Sequence, residues 1–264
     1  MQQYESTSLL RSVVFLLVFT LSINVLAFSC GKHSELVGVT DKDDVLLCKK
    51  TFLVAYDKFE RTPSWVSYYL TKDSVQLYYP RNGIPFKADS SIDGRYSASL
   101  NNYRHSGFDR GHYAPAAAID IDKSSQQRAA LLTNIGPQIP DLNRKGMKAA
   151  ESLMRDYANK YSSIYVVSGG FSGFNLTNLP QALKETKAYQ SGRLIENQHG
   201  FLALDGIVQV SSWFYKAYFI PRTGKTGVFL FPHAKVEEKD IFDYHFSIAD
   251  AEKLIGRPLF APHD

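Results

Sequence analysis

The pattern of apolar and polar positions changes character several times along the chain. Phe52-Leu53-Val54-Ala55-Tyr56 and Trp65-Val66-Ser67-Tyr68-Tyr69-Leu70 are rich in aromatic and β-branched residues, with charged and turn residues between them. That pattern predicts a pair of strands. The stretch before them, 28–47, has few apolar runs and reads as an irregular lead-in. From Pro80 to Gly107 periodicity almost vanishes among Asn82-Gly83, Asp93-Gly94 and Asn101-Asn102. This predicts a long loop, and long structureless loops within a domain tend to carry function. The clearest helix is Asn143–Tyr161, where Met147, Ala150, Met154, Tyr157 and Tyr161 recur at spacings of three and four, with Asp141 as its expected N-terminal cap. Ser163–Ser168, Phe214–Ile220 and Val228–Phe231 read as strands partly buried on both faces, and Ser247–Ile255 as a short last helix that Gly256 stops. Helices interspersed with strand runs and hairpin-like punctuation predict an α+β fold, with a central, mostly antiparallel sheet flanked by helices.

Composition narrows this picture only a little. The 264 residues are 44% hydrophobic and 21% charged, which excludes a disordered or fibrous chain and suits one globular domain. The formal charge of +4 is compatible with a polyanionic partner but does not single one out. The N-terminus is more informative. Ser12 to Phe28 carries no charge, follows Arg11 and ends near the small-residue site Val25-Leu26-Ala27, which reads as a signal peptide over 1–27. The rest, 28–264, is then the mature domain, secreted or periplasmic. Two other readings stay open: an uncleaved membrane anchor, and a lipoprotein anchored at Cys30. The two cysteines, Cys30 and Cys48, have no zinc-ligand spacing around them. A disulfide closing a loop of about 18 residues is the simplest reading, contributing ~3 kcal/mol; the alternative is a pair of unlinked thiols.

Chemistry concentrates in Phe108-Asp109-Arg110-Gly111-His112-Tyr113. An imidazole, with an ordinary pKa of ~6.5, can take a proton from water at neutral pH. A guanidinium two residues away can brace charge on a phosphoryl oxygen, and glycine between them permits a sharp turn or a close approach. Taken alone, the string is equally compatible with an Asp109–Arg110 surface ion pair beside an ordinary histidine. It does not stand alone: Thr133-Asn134-Ile135-Gly136-Pro137-Gln138 follows, then Asp141-Leu142-Asn143, then Glu151 eight residues later. This ordered set resembles the DNA/RNA non-specific endonuclease family, the ββα-metal nucleases. Its Asp-Arg-Gly-His motif stands at Asp109 to His112, its Asn-x-x-Pro-Gln element at Asn134, Pro137 and Gln138, and its metal site at Leu142-Asn143. The likeness extends from about Leu46 to Phe260 and includes Trp65-Val66-Ser67-Tyr68, Gly169-Gly170 and Phe214-Tyr215-Lys216.

The resemblance implies that His112 is the general base and that Asn143 is the only direct protein ligand of one Mg2+ ion, with Mn2+ as a substitute. By the same resemblance Arg110 stabilises the charged transition state, Glu151 holds a metal-bound water, and Asn134 fixes the active-site geometry or the substrate. The family often has a further Arg before a Phe-x-x-Asp element. Phe86-Lys87-Ala88-Asp89 matches that element, Ile84 stands where the Arg is expected, and Arg81 takes the role after a small insertion. DNA and RNA are the implied substrates, leaving 5′-phosphate and 3′-hydroxyl ends. A catalytically inactive nucleic-acid-binding module of the same fold is the alternative, and retention of His112 and Asn143 argues against it. His105 invites a zinc pair with His112 but has no third ligand, and His33, His199, His233, His245 and His263 read as ordinary. Arg144, Lys145 and Lys148 open the long helix either as phosphate contacts or as a solvated basic face.

Overall fold

Near-continuous burial along the central strands shows that the sheet is covered on both faces. The computed structural model describes residues 29–37, 41, 43–80, 83–173 and 175–261. The leader-like segment, Arg81 and His263 lie outside these residues. In chain order the first strands are β1 (Asp44–Cys48), β2 (Leu53–Asp57), β3 (Thr62–Thr71), β4 (Asp109–His112), β5 (Ile135–Gln138) and β6 (Ser163–Phe171). Then come β7 (Leu194–Glu196), β8 (Leu202–Leu204), β9 (Val208–Gln209), β10 (Trp213–Ile220), β11 (Lys225–Pro232) and β12 (His245–Phe246). Seven of them form one sheet in the order β1-β2-β3-β6-β10-β11-β12, and every neighbouring pair runs antiparallel. The fold is α+β, as the pattern predicts.

Successive side chains on a strand point to opposite faces, so each strand feeds two cores. Val54, Tyr56, Val66, Tyr68, Val166, Phe214 and Tyr218 share one cluster with Ala150, Met154 and Ala158 of the long helix. Leu53, Ala55, Trp65, Val167, Tyr215 and Ala217 face the other way, against Ala251 of the last helix and Cys30. Burying each large apolar side chain contributes about 1.5–3 kcal/mol, so the sheet is fixed from both sides. Cys30 and Cys48 are disulfide-bonded, with Cα atoms 5.5 Å apart. The bond ties the lead-in to β1, a strand that the low apolar content of 28–47 concealed.

The long helix is where expectation and structure differ most. Residues 140–161 are helical throughout, but Leu142–Met147 winds as a π-helix before the regular turns of Lys148–Tyr161. Asp141 does not cap it. Its own backbone is helical (φ −66°, ψ −30°), and its carboxylate pairs with Lys145 at 3.1 Å. Pro140, whose ring suits a first helical position, opens the helix instead. The last helix, Ile248–Ile255, begins and ends as the pattern predicts: Ser247 accepts from the Asp250 N–H, and Gly256 closes it with φ +81°.

The start of the long helix is held by a buried histidine. His233 has 0% exposure, and its Nδ1 lies 2.7 Å from the Ser211 carbonyl while Nε2 accepts from the Ile139 N–H at 2.9 Å. Nδ1 therefore carries the proton and the ring is neutral. Burial depresses its pKa from 6.5 to about 4. Above pH ~6.5 the ring is neutral in both folded and unfolded chains, and its contribution is complete. Below that, only the unfolded chain takes up the proton, so stability is lost as pH falls toward 4, by roughly 3 kcal/mol in total. His233→Asn, which cannot titrate there, should be less stable than wild type at pH 7, and the gap should narrow between pH 6.5 and 4.5. Urea unfolding of both proteins across that range is the measurement; a gap independent of pH contradicts the neutral-brace account.

Candidate active site

A two-stranded ribbon and the long helix make the site. β4 pairs antiparallel with β5 in the register Asp109↔Gln138, Arg110↔Pro137, Gly111↔Gly136 and His112↔Ile135. Alternation sends Arg110 and His112 to one side of the ribbon. The Phe86 ring contacts both, with its centroid 5.4 Å from that of the His112 ring and 4.6 Å from the Arg110 guanidinium carbon. Gly111 leaves room for Gln138 to cross the ribbon: a Cβ at that position would stand 2.3 Å from Gln138 Cδ. Past His112 the chain is pinned by Asn134. Its Oδ1 accepts from the Ala114 N–H at 2.9 Å, and its Nδ2 donates to the carbonyls of Ala114 (2.9 Å) and Ala129 (3.0 Å).

Across the ribbon, Asp109 fastens the helix. Its Oδ2 accepts from Asn143 Nδ2 (2.9 Å) and Arg144 Nε (2.8 Å), and its Oδ1 from Arg144 Nη2 (2.8 Å). Burial works to raise the Asp109 pKa, but the hydrogen bonds from Arg144 and Asn143 outweigh it and hold the carboxyl below its ordinary value. A carboxylate is an acceptor only, so the Asn143 amide must turn its nitrogen to Asp109, and its oxygen faces away. The π-helical stretch aligns the other acid. Eight residues of regular helix would leave Asn143 and Glu151 about 80° apart. The wider i→i+5 turns rotate less per residue and bring the two toward one face.

His112, Pro115, Ala116, Ala117, Asn143, Arg144, Lys148 and Glu151 line one open cleft. Three of the expected site residues thus meet there, from two elements. Other surface cavities, such as those lined by Lys58, Glu60 and Asn197 or by Asp57, Ser64 and Arg257, gather none of them. Arg110 lies over Phe86 on the same side of the ribbon as His112, outside the cleft wall. Of the two roles expected of Asn134, the structure agrees with fixing the geometry and not with contacting substrate: with 0% exposure and its amide committed to backbone, it braces the loop after His112. Arg81 lies outside the described residues. His105 is exposed, in a left-handed turn (φ +56°), and does not line the cleft. The basic residues divide: Arg144 and Lys148 line the cleft, whereas Lys145 turns to Asp141 and Glu237, both at 3.1 Å.

Two contributors have partners that the sequence does not reveal. Asp109 pairs with Arg144, 35 residues on, and not with its neighbour Arg110. Lys216 of β10 reaches the underside of the site with 0% exposure, 3.8 Å from Glu151 Oε1. A strand lysine among aromatic residues, where an apolar residue belongs, was the signal available.

The chain is similar to known proteins in family, sequence and fold. A family model described as DNA/RNA non-specific endonuclease matches residues 32–262. Nuclease C1 of Cunninghamella echinulata var. echinulata is 26% identical over 219 residues, covering 80% of this chain and 81% of that protein. The mitochondrial nuclease EXOG of Homo sapiens is 27% identical over 223 residues, covering 82% of this chain and 56% of that protein. The mitochondrial endonuclease G of Homo sapiens is 26% identical over 196 residues, with shares of 73% and 61%. The chain therefore spans less than two thirds of the length of these last two. The fold resembles a chain in a crystal structure of the EndoG/EndoGI complex, with a TM-score of 0.66 and 23% identity, covering 81% of this chain and 84% of that one.

The ribbon itself is testable without any assay of activity. Gly111→Ala should cost about 1–3 kcal/mol, the usual effect of overpacking, because the new methyl meets Gln138. Adding Gln138→Ala should return part of that loss, since contacting sites couple. Simple additivity of the two changes in urea unfolding contradicts the close approach.

Proposed function

Because the chain belongs to the DNA/RNA non-specific endonuclease family, we propose that it hydrolyses DNA and RNA phosphodiester bonds with His112 as general base. The observation that carries the reading is the cleft shared by His112, Asn143 and Glu151. His112 takes a proton from the attacking water, which requires the neutral imidazole. Arg110, over the Phe86 ring, and Lys148, in the cleft wall, present positive charge to phosphate oxygens. Contacts of this kind read the backbone and not the bases, which suits a substrate range covering both sugars. Attack at phosphorus breaks the bond to the 3′ oxygen, which takes a proton from a water molecule, and leaves 5′-phosphate and 3′-hydroxyl ends.

The donor set fits one Mg2+, with Mn2+ able to replace it. Asn143 offers a single neutral, hard oxygen on the side of its amide turned from Asp109, and Glu151 offers a carboxylate to the water shell that Mg2+ retains. When bound, the ion offsets charge on the scissile phosphate and the leaving oxygen. Secretion or export to the periplasm is part of the same proposal: the leader-like 1–27 and the Cys30–Cys48 disulfide both suit an oxidising compartment, with 28–264 as the mature enzyme. The bond also engages the thiol that a lipid anchor at Cys30 needs.

His112→Ala should lower initial rates by ~10²–10⁴-fold, as expected for loss of general base catalysis, while circular dichroism shows a folded protein. His105→Ala should cost far less. Equal loss in the two variants, or a folded His112→Ala with normal turnover, contradicts the assignment of the base. Asn143→Ala should abolish plasmid and RNA cleavage at ordinary Mg2+. Glu151→Gln should be partly rescued by excess metal, because groups that act through bound water typically cost ~10–100-fold. A Glu151→Gln variant with unchanged metal dependence removes that carboxylate from the site.

A further inference from the structure

Lys216 stands in register with Ser168 across β10 and β6, on the face that carries Phe214 and Tyr218 toward the long helix. Those neighbours are apolar, and Lys216 has 0% exposure. Its Nζ donates to Ser168 Oγ at 3.2 Å and to the Tyr113 carbonyl at 3.3 Å, and lies 3.8 Å from Glu151 Oε1. Burial and, less strongly, the nearby Arg155 push its pKa down, and Glu151 pushes it back up. A buried ammonium costs several kcal/mol unless a charge partner and hydrogen bonds offset it, and a well-packed apolar residue in its place is often as stable. Packing alone therefore does not account for a lysine here.

Its partners do. Tyr113 directly follows His112, and Glu151 is the carboxylate of the cleft. We infer that Lys216 is a positioning residue, whose buried ammonium holds the Glu151 carboxylate at the cleft wall and ties it to the strand end that carries His112. One cation under the floor thus joins the two walls of the site, the ribbon and the helix, to the central sheet. The inference rests on the proposed metal-dependent activity and extends it to a residue outside the cleft.

The test is Mn2+ binding to the nucleic-acid-free full chain by titration calorimetry, which reads the site without turnover. Lys216→Met, apolar and of similar length, should weaken Mn2+ binding ~10–100-fold, as Glu151→Gln should. If Lys216 acts through Glu151, the double variant should bind within about twofold of Glu151→Gln alone. Should Lys216→Met fail to fold, the comparison runs between Glu151→Gln and the double variant, in which no unpaired buried charge remains. Equal affinities support the inference. A folded Lys216→Met with wild-type affinity overturns it, as does a further loss of affinity or collapse of the fold in the double variant. A wild-type protein that binds no Mn2+ would instead overturn the proposed metal site itself.

Discussion

The Asp109 carboxylate accepts three N–H bonds from the opening turns of the facing helix, two from Arg144 and one from Asn143, and the cleft depends on that attachment. Without it, β4 is tied to the helix only through its ladder with β5, which runs by way of Ile139 into the helix start. With it, the strand bearing His112 and the helix bearing Asn143 and Glu151 have one relative placement. The same bonds decide which end of the Asn143 amide enters the cleft, because only an N–H can face an ionised carboxylate. The Arg144 side chain is 68% exposed, so the ion pair itself adds little to global stability. Its consequence is orientation.

What could be read beforehand follows from how far each signal travels along the chain. The strand pair, the apolar stripe of the long helix and the last helix are local, since three- and four-residue periods and caps are written in neighbouring residues. His112, Asn143 and Glu151 were legible because their order and separation form a pattern, and they do share one cleft. The π-helical stretch was not legible: its consequences include the Gly146 N–H turning to the Val236 carbonyl, 90 residues away. Asn134 was legible as a site residue with two alternative roles, but a residue name does not reveal that its amide is used up on Ala114 and Ala129. His233 and Lys216 sit in segments that read as ordinary strand or loop. Their partners, Ile139 and Glu151, come from sequence positions no local window reaches.

The buried polar residues behind the cleft share a property. Asn134, His233 and Lys216 each have 0% exposure, and Asp89 has 4%. Each is satisfied by several partners: Asp89 accepts from Ser91 and Thr133 and pairs with Lys49 at 2.5 Å. Buried polar groups are costly if left unpaired and directional when paired. An apolar core would hold the sheet as well, but it would not fix loops to better than the slack of side-chain packing. The segments fixed here are those on which the cleft is mounted: the turn after His112 by Asn134, the helix entry by His233, and the Phe86 loop by Asp89.

The arrangement places the groups that position the cleft behind its wall rather than in it. Catalytic geometry must hold to within a fraction of an ångström, and residues that touch the reacting groups rarely fix their own positions. Here the fixing groups lie one layer behind, within the hydrophobic clusters on the helix side of the sheet, where low dielectric strengthens each hydrogen bond. That leaves Asn143, His112 and Lys148 in the wall of the cleft. The division also sets what mutation can reveal: a change in the wall alters chemistry on an intact fold, whereas a change in the layer behind it alters stability and geometry together. Separating those two effects requires a readout of the site that does not depend on turnover.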